Sequence, residues 1–166
     1  MILPVRGFEP KIANDAYIAP NAAIIGDVEI GEKSSVWFGV TIRGDVMPIR
    51  IGKETNIQDN SVIHGTYGKC GATLHDRVTI GHGVILHGCE VEYGCLIGMG
   101  SILMDGSHIG ARSIVGAGSL VTEGSRFPAN SLILGRPAKV VRSLKPEEID
   151  LLEKSADNYL QYMSWY

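Results

Sequence analysis

An aliphatic residue recurs every six positions through most of this chain. The register slips only three times, and its members are Ile12, Ile18, Ile24, Ile30, Val36, Ile42, Ile51, Ile57, Ile63, Leu74, Ile80, Leu86, Val91, Ile97, Leu103, Ile109, Val115 and Val121. Glycine often follows the aliphatic residue, and a small or β-branched residue often stands four positions after it. Each six-residue unit is therefore predicted to form one short strand and a tight corner.

A unit this short cannot bury its apolar side alone, so successive units must stack into a coil. The pattern predicts an all-β chain, a parallel β-helix over about residues 10–125, with the aliphatic positions inside. Glycine makes up 21 of the 166 residues, well above the ordinary share of roughly 7 %. The excess agrees with a tight corner in every unit.

A helix is predicted after the repeats. The chain leaves them through Gly135-Arg136-Pro137-Ala138-Lys139, which we expect to be irregular, and Pro146-Glu147-Glu148 is typical of the first turn of a helix. Apolar residues then follow at helical spacing. We expect an amphipathic helix over about 146–163 that packs on the outside of the coil, within a single domain spanning 1–166.

Charge and composition exclude several classes of partner. The net charge is −3 and no Lys/Arg run stands out, so neither nucleic acid nor an anionic membrane is expected as a partner. Polar residues or glycine interrupt every apolar run, and the N-terminus lacks a signal-peptide pattern, which predicts a cytoplasmic protein. Cys70, Cys89 and Cys95 are odd in number without CxxC spacing, so free thiols are expected.

The slips in the register predict loops. Three extra residues fall near Val46-Met47-Pro48, and five fall within 65–71. With these removed, one column of the coil interior holds Ile42, Ile63 and Leu86. Side chains alternate along a strand, so the residue after each points outward. One face is therefore predicted to present Arg43, His64 and His87.

The same alignment places Asp59 and His82 in equivalent slots, one coil apart, on the preceding face. His82 and His87 are five residues apart around a corner, whereas ligands of one zinc must each approach it to about 2.1 Å. We do not expect them to share a metal within one chain. A three-fold assembly would instead bring His64 and His87 of one subunit to His82 of the next.

One ordered set of residues resembles the gamma-class carbonic anhydrases. It consists of Arg43-Gly44-Asp45, Thr55-Asn56-Ile57-Gln58-Asp59, His64 and Ile80-Gly81-His82-Gly83-Val84-Ile85-Leu86-His87-Gly88-Cys89. The resemblance covers nearly the whole chain. It implies a left-handed parallel β-helix with a C-terminal α-helix, a homotrimer, and hydration of carbon dioxide to bicarbonate by a metal-bound hydroxide. It also implies that His64, His82 and His87 bind the metal.

The resemblance assigns further roles. It implies that Arg43 and Asp45 bridge subunits beside the metal. Asn56, Gln58 and Asp59 would orient the metal-bound water and the substrate, and Tyr159 would reach the site from the helix, with packing as its alternative role. Fully active members carry glutamates at the proton exit that this chain lacks. Slow turnover, or a different physiological substrate, is therefore expected.

Three neutral imidazoles leave zinc one open position for water and lower the pKa of that water toward neutrality, as is established for carbonic anhydrase. Fe²⁺ or Co²⁺ would accept the same ligands as Zn²⁺. Three other functions stay open: an acyltransferase with a histidine base, a metal-dependent acyl-CoA thioesterase, and a non-enzymatic trimeric scaffold.

Overall fold

The computed structural model describes residues 1–166 as a β-solenoid with one C-terminal helix. The helix is α1 (Pro146–Met163). The strands are β1 (Ile2–Leu3), β2 (Lys11–Ile12), β3 (Tyr17–Ile18), β4 (Ala23–Ile30), β5 (Ser35–Val36), β6 (Thr41–Ile51), β7 (Asn56–Ile57), β8 (Val62–His64), β9 (Ala72–Leu74), β10 (Thr79–Ile80), β11 (Ile85–His87), β12 (Glu90–Val91), β13 (Leu96–Ile97), β14 (Ile102–Leu103), β15 (His108–Ile109), β16 (Ile114–Val115), β17 (Leu120–Val121), β18 (Arg126–Phe127), β19 (Ser131–Gly135) and β20 (Ala138–Ser143).

The strands stack as three parallel faces. The first face runs from the start of β6 through β8, β11 and β14 to β17, and the second from β3 through β5, β7, β10, β13 and β16 to β19. The third runs from the end of β6 through β9, β12 and β15 to β18. The long strands β4 and β6 contribute to both the first and the third face. The predicted β-helix with a C-terminal helix is confirmed.

The predicted aliphatic column forms the core. Ile42, Ile63 and Leu86 are partners in register on the first face, and all three are fully buried. Every predicted aliphatic position from Ile24 onward is buried, whereas Ile12 and Ile18 are only half-buried because they belong to the first turn. Burial of stacked aliphatic side chains is therefore the main source of stability along the coil.

Two predictions about irregular segments need correction. The residues Val46-Met47-Pro48 do not leave the sheet as a loop but lie within β6, where the register passes from Gly26–Gly44 directly to Val28–Ile49. The extra residues form a bulge that keeps the strand continuous. The segment 135–139 is also not an irregular exit. It holds the turn between β19 and β20, which pair antiparallel because β20 supplies hydrogen bonds to the last strand of the second face.

The helix packs on the second face. It begins at Pro146, and the Glu148 carboxylate accepts a hydrogen bond from the Lys145 backbone N–H at 2.8 Å. Leu152 and Ala156 are buried, and the Ser155 hydroxyl lies 3.3 Å from that of Thr79 on β10. No helix of the structure combines the length and the apolar character needed to cross a membrane.

Arg77 connects the coil to the helix. Its guanidinium contacts the carboxylates of Glu54 at 2.5 Å, Glu153 at 3.0 Å and Asp157 at 2.7 Å, and its side chain is 19 % exposed. These hydrogen bonds and charges raise the pKa of Arg77 above its already high value. One coil residue therefore holds two turns of α1 in place.

We expect Arg77→Ala to lower the free energy of unfolding by about 1–3 kcal/mol, because it leaves three carboxylates without their cation. Denaturant unfolding and the rate of proteolysis within α1 would measure the loss. Arg142→Ala is the matched control: its bidentate pair with Glu148 is exposed and screened by solvent, so its loss should have a much smaller effect. Equal effects of the two variants would contradict this role of Arg77.

Candidate metal centre

Two histidines stack on the first face. His64 ends β8 and His87 ends β11, and the two residues are partners in register, as the alternation of side chains predicted. Nδ1 of His64 lies 3.4 Å from Nε2 of His87, and the ring centroids are 5.4 Å apart. The two rings therefore direct one nitrogen each toward a common point.

The other nitrogen of each ring lies beside a carboxylate. Nε2 of His64 is 3.0 Å from Oδ1 of Asp45, and Nδ1 of His87 is 2.6 Å from Oδ1 of Asp105. An ionised carboxylate only accepts hydrogen bonds, so in a neutral imidazole these nitrogens carry the proton. The two nitrogens that face each other are then unprotonated.

The carboxylates are held in the ionised form. Partial burial favours the neutral acid, but hydrogen bonds from Arg43 and His64 outweigh it and lower the pKa of Asp45. At Asp105, burial is likewise outweighed by hydrogen bonds from Thr66 and His87, and the pKa is again lowered. Both groups are therefore acceptors at neutral pH.

This donor pair fits a metal ion. Two lone pairs that face each other repel unless a cation lies between them. Two nitrogens that each bind a tetrahedral zinc at 2.0–2.1 Å are about 3.3–3.4 Å apart, and the separation in this chain is 3.4 Å. A carboxylate behind each ring is also the usual surrounding of metal-binding histidines.

His82 lies apart from this pair. It occupies the corner between β10 and β11, and its Nδ1 is 2.8 Å from Oδ2 of Asp59, which holds the equivalent position one coil earlier. The imidazole is 52 % exposed. Within one chain, no three His, Cys, Asp or Glu side chains are arranged to hold a metal ion. The structure thus brings two of the three predicted ligands together and directs the third outward.

The predicted polar wall lies on the second face and is connected by hydrogen bonds. Gln58 donates from Nε2 to Oδ1 of Asn56 at 3.2 Å, and Asn56 donates from Nδ2 to the Thr79 hydroxyl at 2.9 Å. Asn56 and Gln58 are both buried. Asp59 follows directly at the corner, so this network lies on the His82 side.

Arg43 and Asp45 form an ion pair within the chain, with a guanidinium nitrogen 2.5 Å from Oδ2 of Asp45. Because Oδ1 of the same carboxylate contacts His64, the guanidinium and the imidazole hold Asp45 from two sides. The Arg43 side chain is 43 % exposed. Part of the Arg43 side chain is therefore accessible to a neighbouring chain.

Tyr159 packs among aromatic side chains and lines a cavity beside Asp59. Its ring meets Trp37 edge-on at 5.5 Å and Tyr162 at 5.3 Å. It lines a cavity of about 360 Å³ that Asp59 also lines. Burial, with a contribution from the Asp59 charge, raises the pKa of Tyr159 to about 12, so its hydroxyl stays protonated at neutral pH.

Asp105 is a site residue that the sequence patterns did not single out. It follows His87 by eighteen residues, but the register pairs Leu86 with Leu103, so Met104 stands one turn after His87 and Asp105 one turn after Gly88. The six-residue period therefore gives no signal for this contact. The remaining histidines lie elsewhere: His75 contacts Glu90 and His108 contacts Glu92. Burial raises the pKa values of the free Cys89 and Cys95 thiols to about 12, so neither is a reactive thiolate.

The family model, the relatives and the solved structures that match this chain agree on its family. Residues 9–44 match the family model described as bacterial transferase hexapeptide (six repeats). The chain is 49 % identical to a carbonic anhydrase of Geobacillus kaustophilus over 166 residues, which cover all of this chain and 91 % of that protein.

A second relative is the mitochondrial gamma carbonic anhydrase 1 of Arabidopsis thaliana, which is 43 % identical over 90 % of this chain and 56 % of its own length. The chain thus spans just over half of the plant protein. Among solved structures, a hexapeptide transferase family protein from Anaplasma phagocytophilum superposes with a TM-score of 0.96. It is 43 % identical, and the match covers all of this chain and 98 % of that one.

Proposed function

Because this chain belongs to the gamma carbonic anhydrase-like family of hexapeptide-repeat proteins, we propose that it catalyses the reversible hydration of carbon dioxide to bicarbonate. The site is a metal centre that neighbouring subunits of a homotrimer build together. One observation carries the proposal: Nδ1 of His64 and Nε2 of His87 face each other at 3.4 Å, with a carboxylate behind each ring.

His82 of the neighbouring subunit completes the ligand set. With Nδ1 beside Asp59, its Nε2 is available to a second chain. Each chain carries both parts of the site on different surfaces, so the contact is head-to-tail, and head-to-tail contacts can close into a ring. Apolar exposure around the histidine pair supports this, because Val62 is 39 % and Ile85 41 % exposed on the same face.

His64 and His87 of one chain and the His82 position of its neighbour would hold Zn²⁺, Fe²⁺ or Co²⁺, and the metal would supply a water whose pKa is lowered toward neutrality. Asp45 and Asp105 orient the two imidazoles and increase their basicity as ligands. Gln58 uses its amide nitrogen on Asn56, which leaves its amide oxygen to accept a hydrogen bond from the attacking water.

Arg43 and Tyr159 have supporting roles. A guanidinium carries only hydrogen-bond donors and no acceptor, so Arg43 serves as an electrostatic brace for Asp45. The Tyr159 hydroxyl, with its raised pKa, is a hydrogen-bond donor on the wall of the cavity beside Asp59. The proton released in each turnover leaves without a glutamate beside Asp45 or in the loop after His64, so we expect turnover limited by proton export.

The test is the metal content of untagged protein purified without oxygen or chelator, followed by a carbon dioxide hydration assay. We expect roughly one zinc or iron per chain, since three histidines from two chains make one site per interface. Removal of the metal with a chelator should abolish hydration, and adding it back should restore it. Protein that carries no metal and refuses zinc, iron and cobalt would contradict the proposal.

Acyl transfer is the second candidate, because the exposed His82–Asp59 pair has the arrangement of a general base and its orienting carboxylate. Acetylation from acetyl-CoA that survives chelation and is lost in His82→Ala would favour it.

A thioesterase would hydrolyse acyl-CoA at the same metal. For a scaffold, chelation would dissociate the trimer and the metal-replete protein would show no hydration.

A further inference from the structure

Asp105 is held from two sides in the corner after β14. Its Oδ1 lies 2.6 Å from Nδ1 of His87, and its Oδ2 accepts a hydrogen bond of 2.6 Å from the Thr66 hydroxyl. The Lys69 ammonium is 3.7 Å from the same Oδ2. Only 14 % of the Asp105 side chain is exposed. The carboxylate is therefore restrained at both oxygens.

The loop after β8 supplies these restraints. Thr66 and Cys70 form an isolated bridge that closes the loop on itself, and Lys69 also contacts Glu123 at 2.5 Å. This loop is the five-residue interruption of the repeat, and it follows His64 directly. Residues that do not belong to the coil pattern thus connect one histidine to the carboxylate of the other.

The space around Asp105 requires glycine at position 88. A Cβ at Gly88 would lie 2.6 Å from Oδ1 of Asp105, and Gly88 has φ +61, a conformation that favours glycine. The residue next to His87 therefore leaves room for the carboxylate to reach the imidazole. The contact is built from three separate segments of the chain.

We infer that Asp105 is a positioning residue, which holds His87 as the tautomer with an unprotonated Nε2, and that the 65–71 loop holds Asp105 through Thr66. The inference rests on the proposed function for its metal. Without an acceptor at Nδ1, the ring can take either tautomer and can rotate away from His64. Asp45 acts in the same way on His64, so both insertions in the repeat lie beside the metal site.

The first test reads the tautomer directly in metal-free protein. Nitrogen NMR of the His87 ring at about pH 8, where imidazole is neutral, should show the proton on Nδ1 in the native chain. In Asp105→Ala it should move to Nε2 or distribute over both nitrogens, and Asp105→Asn should lie between the two. An unchanged Nδ1 proton in folded Asp105→Ala would overturn the inference. This measurement needs neither metal nor activity.

The second test measures zinc affinity by competition with a chelator. We expect Asp105→Asn to weaken binding by about 10–100-fold, the usual effect of losing a carboxylate behind a metal-binding histidine. Thr66→Val should cause a smaller loss, since it frees Oδ2 but leaves the carboxylate in place. Asp15→Asn is the control, because Asp15 also stands in a coil corner, where its carboxylate accepts a hydrogen bond from the Lys33 backbone N–H, but it lies in the first turn.

The outcomes separate the two proposals. If native protein binds neither zinc, iron nor cobalt, the proposed function fails, and the tautomer still decides the role of Asp105. If native protein and Asp105→Asn bind zinc equally, the positioning role fails and the metal centre stands. Asp105→Asn preserves side-chain volume and Thr66→Val leaves Asp105 intact, so a folding defect in Asp105→Ala does not remove the test.

Discussion

Trimers that mix two variants, each unable to bind metal alone, should recover metal sites. His82→Ala alone and His64→Ala/His87→Ala alone should each lose nearly all bound metal, because no interface then carries three imidazoles. When the two chains assemble together, His64 and His87 of the His82→Ala chain meet His82 of the other chain. A mixed trimer then contains one complete site, about a third of the native number, because only one of its three interfaces joins the chains in the productive order.

Tandem purification with two different tags would isolate the mixed trimers, and metal analysis with a hydration assay would measure recovery. His108→Ala is the control, since His108 contacts Glu92 on another part of the surface and its loss should leave metal content unchanged. Verified mixed trimers without metal would show that the three histidines do not combine across subunits. That result would refute the shared site even if each native chain binds a metal elsewhere.

Leu74→Ala should lower the free energy of unfolding by about 2–5 kcal/mol, the usual cost of truncating a leucine in a closely packed core. Leu74 is 1 % exposed and is paired in register with Ile51 below it and Val91 above it. The cavity therefore interrupts the aliphatic column between two turns of the coil. Denaturant unfolding with an unchanged m-value would measure the loss.

Thr73→Ala is the matched control, one residue earlier on the same strand. Thr73 is partly exposed and points outward beside Arg50 and Glu90, so its truncation should cost about 1 kcal/mol or less. Neither position lies on the face that carries His64 and His87. Equal losses at Leu74 and Thr73 would mean that the inner column does not dominate the stability of the coil.

The positions predicted best from sequence are those governed by the six-residue period. The burial of Ile42, Ile63 and Leu86 and the stacking of His64 on His87 both followed from alternation along a strand. The opposition of Asp59 and His82 followed from the same alignment. In a repeat coil each residue meets its counterpart one turn away, so a correct period determines these neighbours.

Predictions about the interruptions were weaker. The bulge at Val46-Met47-Pro48 and the hairpin of β19 and β20 depend on which backbone groups find partners. A register slip shows that residues are extra, but it does not show whether they leave the sheet or bulge within it. The local pattern is the same in both cases.

The sequence by itself determined the coil, its inner column and the face that carries the histidine pair, because one local period repeats along the chain. The tertiary structure alone decided that Asp105 supports His87 and that Thr66 supports Asp105. It also decided that Arg77 holds the helix on the second face. These contacts join residues 18 to 80 positions apart that are not counterparts in the six-residue pattern, and only the path of the chain in space brings them together.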